Sequence, residues 1–201
     1  MSLSSPSAAR DKDALRKEVL ARRDALTAGE RARASQLVAD RFEALHALPF
    51  HAALHEGPVS VFLPIRSELD TRPLMRALER HGVTLALPVV RRPVLDFRVW
   101  QHGQPLVKAA FGLLEPGPEA ASVRPRTMLV PLAAFDRRGD RIGYGAGHYD
   151  RAIEAFSADG RPLATIGVAF SCQEVARVPA EPHDRRLDWI LTETELIRTG
   201  P

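Results

Sequence analysis

The sequence predicts an α/β fold: a single layered domain with a mixed, mostly parallel sheet flanked by helices, and with a pair of helices at its N-terminus. Segments of strand length alternate with segments of helical periodicity along most of the chain. Residues 127–135 form a nearly uninterrupted apolar run, which is typical of a strand buried on both faces of a parallel sheet. No internal repeat is present in the sequence. These observations favour one layered domain over a repeat array.

The two opening helices are predicted over residues 11–25 and 30–47, where apolar residues recur at helical spacing. Residues 1–9, rich in serine and alanine, are expected to form a disordered tail, and residues 10–199 the single domain. Lys12 and Arg16 stand one turn apart and therefore share a face of the first helix. We expect them, with Arg22 and Arg23, on the solvent side, either as a solvated surface or as a cationic pair for phosphate.

The remaining elements follow from turn signals around apolar segments. A short helix is predicted after Thr71, which is a suitable N-cap, with Pro73 early in the helix and Gly82 closing it. The hairpin over residues 83–100 is expected to be scaffold. Strands are predicted over residues 59–63, 83–90, 94–100, 127–135, 163–169 and 189–192, and loops over residues 49–58 and 111–118.

Composition excludes several classes of protein. The 201 residues are 45% hydrophobic and 26% charged, as in ordinary globular domains, and no apolar run approaches the roughly 20 residues that a membrane span needs. The net charge is only +3 and aromatic residues make up 6%, so a nucleic-acid partner is not expected. The single cysteine, Cys172, and the lack of a signal-peptide pattern predict a cytoplasmic protein.

Residues 143–147, which we call the glycine loop, carry glycine at positions 143, 145 and 147. Glycines allow backbone N–H groups to approach a ligand closely, and the N-terminus of the helix predicted to follow would attract an anion. The pattern lacks the Gly-Lys-Ser/Thr of a Walker loop, and His148 stands where a dinucleotide fingerprint needs its third glycine. The residues alone leave two interpretations open, a phosphate site and an ordinary turn.

Carboxylates follow the predicted strands and the glycine loop. Asp150 comes directly after the loop, where Mg²⁺ could bridge it to phosphate, and Asp184 precedes the last predicted strand. Glu68 follows a strand end, where open α/β sheets collect ligand-binding groups, and could accept hydrogen bonds from a polar heterocycle. A solvated turn residue is the alternative at each position.

Several ordered segments together resemble the 5-formyltetrahydrofolate cyclo-ligase family, also called methenyltetrahydrofolate synthetase, over almost the whole chain. The segments are Lys12 with Arg16, Leu63-Pro64-x-x-Ser67-Glu68-Leu69-Asp70-Thr71, Leu87-Pro88, the turn over residues 112–116, Val130-Pro131 with Phe135-Asp136, Gly143-Tyr-Gly-Ala-Gly-His-Tyr-Asp150, and Glu181-Pro-His-Asp184. The resemblance implies a ring closure that uses ATP and Mg²⁺ and converts 5-formyltetrahydrofolate into 5,10-methenyltetrahydrofolate, releasing ADP and phosphate.

The resemblance also assigns site residues. ATP would be bound by Lys12, Arg16, Arg141, Gly143, Tyr144, Gly145, Ala146, Gly147, His148 and Tyr149. The reduced folate would contact Leu63, Glu68, Gly145, Gly147, His148 and Tyr149. Mg²⁺ would be held by Asp150 and Asp184, and the catalytic residues would be Tyr149, Arg16 and Lys12. Partners would be these small molecules, without nucleic acid or membrane, and we expect a monomer.

Two positions depart from the family pattern. Ala146 stands where glycine or a basic residue is usual, so this position cannot require a positive φ. His148 stands where tyrosine is common, which predicts that activity depends on pH near neutrality. A small-molecule kinase, a non-catalytic folate- or nucleotide-binding protein and an RNA-binding module are the competing hypotheses, and a substrate assay separates them.

Overall fold

A computed structural model describes residues 6–44, 54–91, 94–109, 113–158, 160–181 and 184–200. The helices are α1 (Pro6–Asp24), α2 (Ala28–Ala44), α3 (Arg72–Arg80) and α4 (His148–Ser157), with a short 3-10 helix at Ser171–Gln173. The strands are β1 (Val59–Ser60), β2 (Leu85–Arg91), β3 (Val94–Val99), β4 (Val107–Lys108), β5 (Leu114–Glu115), β6 (Thr127–Pro131), β7 (Ala134–Phe135), β8 (Arg141–Ile142), β9 (Ala164–Val168), β10 (Trp189–Leu191) and β11 (Leu196–Arg198).

Across the described residues, seven strands form the main sheet in the order β11-β10-β9-β6-β1-β2-β3. The five inner strands are parallel neighbours, and β3 and β11 pair antiparallel at the two edges. Val59 is in register with both Leu85 and Thr127, so β1 lies in the middle of the parallel part. This arrangement confirms the predicted fold class, a mixed and mostly parallel sheet flanked by helices.

The apolar run over residues 127–135, predicted as one strand, is divided into two. Pro131 ends β6 because it has no N–H to donate to the next ladder position. The chain then turns, and Ala134–Phe135 pairs with Arg141–Ile142 in a separate two-stranded sheet. The side-chain amide of Gln173 donates to the carbonyls of Leu132 (2.8 Å) and Ala133 (3.0 Å), so the turn leaves neither carbonyl unpaired.

The two N-terminal helices are present, but their principal packing partners differ. α1 packs against the 3-10 helix and β7, whereas α2 packs against α3. Helix α1 begins at Pro6, so residues 6–9 of the expected tail have helical backbone, while residues 1–5 lie outside the described residues. Residues 45–47 of the second predicted helix and 49–53 of the following loop also lie outside them.

Two large clusters of buried side chains cover the opposite faces of the sheet. One includes Phe42 of α2 and Leu74 of α3, and the other includes Ile153 of α4 and Phe97 of β3. A third, smaller cluster joins Val19 of α1 to Ala134, Ile142 and Val178. The third cluster holds α1 beside the hairpin β7–β8, which leads directly into the glycine loop.

Local details differ from the sequence predictions at several points. Thr71 occupies the N-cap of α3, but its hydroxyl donates to the Phe62 carbonyl instead of capping the helix. The strand predicted over residues 59–63 is limited to Val59–Ser60, and β11 and the two short hairpins were not predicted. Within the part of the chain that is described, no helix has the length and apolar character needed to cross a membrane.

Candidate functional site

The glycine loop connects β8 to α4, and its backbone explains two of its three glycines. Gly145 has φ 94° and Gly147, the N-cap of α4, has φ 62°, both in the region that L-residues with side chains rarely adopt. Gly143 is not among the positive-φ residues, and a Cβ built on it would meet no atom within 4 Å. Ala146 also lacks a positive φ, which confirms the expectation for that position.

The backbone N–H groups of residues 143–147 donate no hydrogen bond to a described residue. The first turn of α4, which follows directly, adds the positive end of a helix dipole. Unpaired N–H groups beside a helix N-terminus form a site that favours an anion. The backbone geometry therefore fits phosphate better than a turn closed on itself.

A cavity of about 570 Å³ extends from the glycine loop to the residues that follow β1. It lies at the carboxyl end of the parallel strands, where open α/β sheets bind ligands. Predicted site residues that line it are Leu63, Glu68, Arg141, Gly143, Tyr144, Ala146, Gly147, His148, Tyr149 and Asp150. Gly145, Lys12, Arg16 and Asp184 are not lining residues. Arg16 contacts the loop at Gly143, and Lys12 pairs with Asp184.

The hairpin β2–β3, expected to be scaffold alone, contributes directly to this cavity. Leu87, Pro88, Val90 and Leu95 form part of its wall, and Trp100 follows directly after β3. Alternate residues of a strand face the same side, so the hairpin can pack one face and present the other to a ligand. The wall is mostly apolar, which suits a flat ring system.

Helix α1 brings two cations to the glycine loop. Arg16 Nε donates to the Gly143 carbonyl at 2.8 Å, which fixes the guanidinium beside the loop. Lys12 Nζ lies 2.7 Å from Glu181 Oε2 and 2.6 Å from Asp184 Oδ2. Burial alone would lower the pKa of Lys12, but hydrogen bonds and charge from Asp184 and Glu181 together raise it. Lys12 is therefore a cation held between two carboxylates.

The two predicted metal ligands are both engaged with cations. Asp150 Oδ1 accepts from Arg141 Nη2 at 2.7 Å and from the Arg185 N–H at 3.2 Å. Asp184 Oδ2 accepts from Lys12 and from the Glu181 N–H. The Arg141 side chain is only 4% exposed, and burial lowers its pKa while the charges of Asp150 and Asp184 oppose that shift. Both carboxylates therefore lie near one buried guanidinium.

This donor set fits Mg²⁺ only in company with phosphate. Among the described residues no group of three or more metal-ligating side chains comes together. Mg²⁺ is commonly held by one or two carboxylates together with substrate phosphates and water. Asp150 and Asp184, on either side of Arg141, supply that number of carboxylates.

Glu68 is a buried carboxylate in the cavity wall. Its Oε2 accepts from the Ile65 N–H at 2.9 Å, while Oε1 is buried without a partner of ordinary hydrogen-bond geometry. Burial raises the pKa of Glu68, and the Tyr144 hydroxyl, the Ile65 N–H and the charge of Arg23 offset part of that shift. A buried oxygen without a partner among the described residues is unusual, and this one belongs to a residue that lines the cavity.

Tyr149 and His148 stand at the start of α4. Burial, and then the nearby charge of Glu68, raise the pKa of the Tyr149 phenol, so it remains a hydrogen-bond donor at neutral pH. His148 Nδ1 lies 3.2 Å from Arg151 Nη2, and Arg151 also donates to the Ala146 carbonyl at 2.7 Å. Arg151 therefore ties the first turn of α4 back to the glycine loop.

Sequence reasoning missed two charged residues at this site. Arg23 was placed on the solvent side of α1 but is only 2% exposed and contacts Tyr144. Glu181 belongs to a family segment for which the sequence predicted no role, and it forms an ion pair with Lys12, as Asp184 does. Arg23 carried a weak signal, since it lies seven residues after Arg16 and hence on the same helix face.

A cavity with a glycine loop and a helix N-terminus at one end and a buried carboxylate in its wall, at the carboxyl edge of a parallel sheet, is typical of α/β proteins that bind a small ligand. The model of the 5-formyltetrahydrofolate cyclo-ligase family matches residues 8–193. The chain belongs to that family and is a ligase.

Individual relatives agree. The 5-formyltetrahydrofolate cyclo-ligase of Escherichia coli K12 is 30% identical over 182 residues, covering 87% of this chain and 96% of the relative. That of Haemophilus influenzae is 28% identical over 85% of this chain and 91% of the relative. The solution structure of Aquifex aeolicus 5,10-methenyltetrahydrofolate synthetase is 32% identical, with TM-score 0.77, covering 94% and 92% of the two chains.

A further structure shares the fold at lower identity. The 5,10-methenyltetrahydrofolate synthetase of Mycoplasma pneumoniae is 24% identical with TM-score 0.71, covering 91% of this chain and 99% of that chain. Family membership supports 5-formyltetrahydrofolate cyclo-ligase activity for this chain, the reaction that the ordered sequence segments implied.

Proposed function

We propose that the cyclisation of 5-formyltetrahydrofolate by this enzyme uses ATP and Mg²⁺ and proceeds through phosphorylation of the formyl oxygen. The observation that carries the proposal is the set of N–H groups over residues 143–147 that donate to no described residue, on a loop that borders the same cavity as the Glu68 carboxylate. An anion site and a heterocycle site at two ends of one cavity suit a reaction that joins a phosphate donor to a reduced folate.

The chemistry needs two displacement steps. The formyl oxygen attacks the γ-phosphorus of ATP, and the bond to the ADP oxygen breaks. The neighbouring folate amine then attacks the former formyl carbon and loses its proton, and the carbon–oxygen bond breaks to release phosphate. Both steps depend on position and on neutralised phosphate charge more than on a side-chain nucleophile.

The cations and amides around the glycine loop would hold the phosphates. The N–H groups of the loop would donate to the phosphate oxygens, Arg16 is fixed beside Gly143, and Arg141 is bonded to Asp150 in the first turn of α4. Asp150 and Asp184 would hold Mg²⁺, which when bound would neutralise phosphate charge. Because Lys12 is paired with Asp184 in this structure, we infer that it approaches the phosphates together with that carboxylate.

The folate would occupy the apolar part of the cavity. The Glu68 carboxylate would accept a hydrogen bond from the ring N–H groups of the substrate, and Leu63 is another residue of the cavity wall. Tyr149, His148 and residues 145–147 would border the formyl group at the junction of the two ends. The protonated phenol of Tyr149 can donate to an oxygen there but cannot act as a base at neutral pH.

The test is a direct assay with purified protein, 5-formyltetrahydrofolate, ATP and MgCl₂, in which the absorbance of the methenyl product and the release of ADP are followed together. We expect both signals at equal rates, and neither after chelation of Mg²⁺. Release of ADP without methenyl absorbance would instead indicate a kinase. Product formed without ATP would contradict the phosphorylation step.

We propose further that the enzyme is a cytoplasmic monomer. The single cysteine, Cys172, is consistent with a reducing compartment. Sedimentation analysis at assay concentration, with and without both substrates, tests the oligomeric state, and we expect one species with the mass of a single chain.

A further inference from the structure

Arg23 is a buried cation that the steps described above leave without a role. It lies in the last turn of α1 and is 2% exposed. Its Nε donates to Ser67 Oγ at 3.0 Å and its Nη1 donates to the Tyr144 hydroxyl at 2.6 Å. Its Cζ also lies 5.9 Å from the centroid of the Tyr144 ring, within the range of a cation–π contact. Among the described residues it forms no ion pair.

The contacts of Arg23 connect two segments that meet the cavity from different sides. Ser67 precedes Glu68 in the segment after β1, and Tyr144 lies in the glycine loop. Arg23 and Glu68 also line the same small space beneath the main cavity. The guanidinium therefore lies between the carboxylate proposed to bind the folate and the loop proposed to bind phosphate.

We propose that Arg23 is a positioning residue that holds Tyr144 and Glu68 in a fixed relation, so that the phosphate and folate ends of the cavity are set together. The inference rests on the proposed function, since it assigns those two ends to the two substrates. Arg23 itself need not touch either substrate.

A purely structural role explains the residue poorly. A guanidinium taken out of water is costly unless it is paired, and an apolar side chain of similar size would serve packing as well or better. Arg23 is buried without a salt bridge to a described carboxylate. Its Nε and Nη1 instead donate hydrogen bonds to Ser67 and Tyr144, in the two segments that border the cavity.

The charge of Arg23 also bears on the titration of Glu68. The groups that face this carboxylate are Arg23 from α1, Tyr144 from the glycine loop and Tyr149 from α4, together with the Ile65 N–H. Burial raises the pKa of Glu68, and the charge of Arg23 opposes this. Without that charge the pKa would rise further. Less of the carboxylate would then be ionised at a given pH. When the pH is lowered, folate binding would therefore be lost at a higher pH than in the wild type.

The experiment compares Arg23→Gln with Arg22→Gln. Arg22 is the neighbouring residue, its side chain is 44% exposed, and it pairs with Glu18 on the helix surface. For Arg23→Gln we expect kcat/KM for 5-formyltetrahydrofolate at pH 7 to fall by about tenfold or more, the size of a lost charged hydrogen bond. The acidic limb of the plot of kcat/KM against pH should move to higher pH in this variant. Arg22→Gln should keep the wild-type kcat/KM and the wild-type position of that limb. Arg23→Lys should restore the position of the limb.

Further variants keep the proposal open to refutation if Arg23→Gln folds poorly. Tyr144→Phe and Arg23→Met should each lower kcat/KM, and their combination should cost less than the product of the single effects because both remove the same hydrogen bond. Multiplicative effects would overturn the proposal. A change in melting temperature alone, with kinetic constants and pH profile as in Arg22→Gln, would also overturn it.

The proposed function can fail independently of this inference. If the wild type yields no methenyl product, the reaction assignment falls, and the Arg23 variants are compared by calorimetric binding of 5-formyltetrahydrofolate instead. Weaker binding by Arg23→Gln than by Arg22→Gln would still support the positioning role, and equal binding would refute it.

Discussion

At the scale of single residues, the buried carboxylate Glu68 gives the protein a stability cost that depends on pH. Burial raises its pKa, so the folded state binds a proton more tightly than the unfolded state does. The favourable contribution is present below the ordinary carboxyl pKa and is lost as pH rises through the raised one. Ionisation of Glu68 therefore lowers the stability of the folded state, and we infer that the carboxyl group is retained for binding.

Glu68→Gln tests this assignment. The neutral amide should raise the melting temperature relative to the wild type at pH 8 and leave it nearly unchanged at pH 4, because only the ionised carboxylate is costly to bury. The same variant should raise KM for 5-formyltetrahydrofolate by about tenfold, as expected for one lost charged hydrogen bond. Scanning calorimetry and steady-state kinetics measure the two effects. A stability difference independent of pH would contradict the assignment.

The glycines of the loop allow a second comparison. Gly143→Ala should leave stability unchanged, because the added Cβ meets no protein atom, but should raise KM for ATP if phosphate lies against the loop. Gly145→Ala should lower the free energy of unfolding by about 1–2 kcal/mol, because its φ of 94° is strained for alanine. Urea unfolding and ATP titrations check both. An unchanged KM for ATP in Gly143→Ala would remove the phosphate from this position.

At the scale of the elements, local sequence patterns predicted the helices, the strands and the glycine loop better than they predicted which charged side chains are buried. The alternating glycines identified the loop because a backbone requirement is local in sequence. Arg23 could not be placed, since a helix pattern rich in arginine does not reveal which one faces inward. Pro131 ends β6, but the turn that follows relies on hydrogen bonds from Gln173, which lies 41 residues from Leu132 and could not be paired with it from the sequence. Short edge strands such as β11 gave no periodic signal.

The first turn of α4 and the segment around Asp184 give a prediction that separates the two expected metal ligands. Asp150→Asn should lower the melting temperature more than Asp184→Asn, because it removes the carboxylate of Arg141, whose side chain is only 4% exposed. In Asp184→Asn, Lys12 would still form its ion pair with Glu181, so no cation would lose its last carboxylate partner. Both variants should raise the Mg²⁺ concentration needed for half-maximal activity. Equal magnesium dependence to the wild type would exclude the altered residue as a ligand.

At the scale of the whole molecule, the parallel centre of the sheet is closely packed on both faces. A Cβ added at Gly167 in β9 would lie 2.7 Å from Ile190 Cδ1 and 2.8 Å from atoms of Leu132 and Leu187. A methyl group at this position would force the ends of these three buried side chains to shift within a closely packed core. The fold class followed from the alternation of elements, but this close approach could not be foreseen from a single glycine in a strand.

Gly167→Ala should therefore lower the free energy of unfolding by about 1–3 kcal/mol, the usual cost of overpacking. Gly29→Ala in α2 is the matched control, because its Cβ would meet no atom within 4 Å and alanine favours helix. Urea denaturation compares the two, and we expect the control to match or exceed the wild type. Equal stability of both variants would mean that the sheet accommodates the methyl group.

The ion pair between Lys12 and Asp184 joins positions 172 residues apart. During translation, Lys12 of helix α1 therefore cannot form this ion pair until most of the domain has been synthesised. A nascent chain that stops short of Asp184 carries the glycine loop but lacks a carboxylate that pairs with Lys12 of α1. Under the proposed function, such a fragment would lack one of the two carboxylates expected to hold Mg²⁺, and would bind ATP with Mg²⁺ less tightly than the full chain.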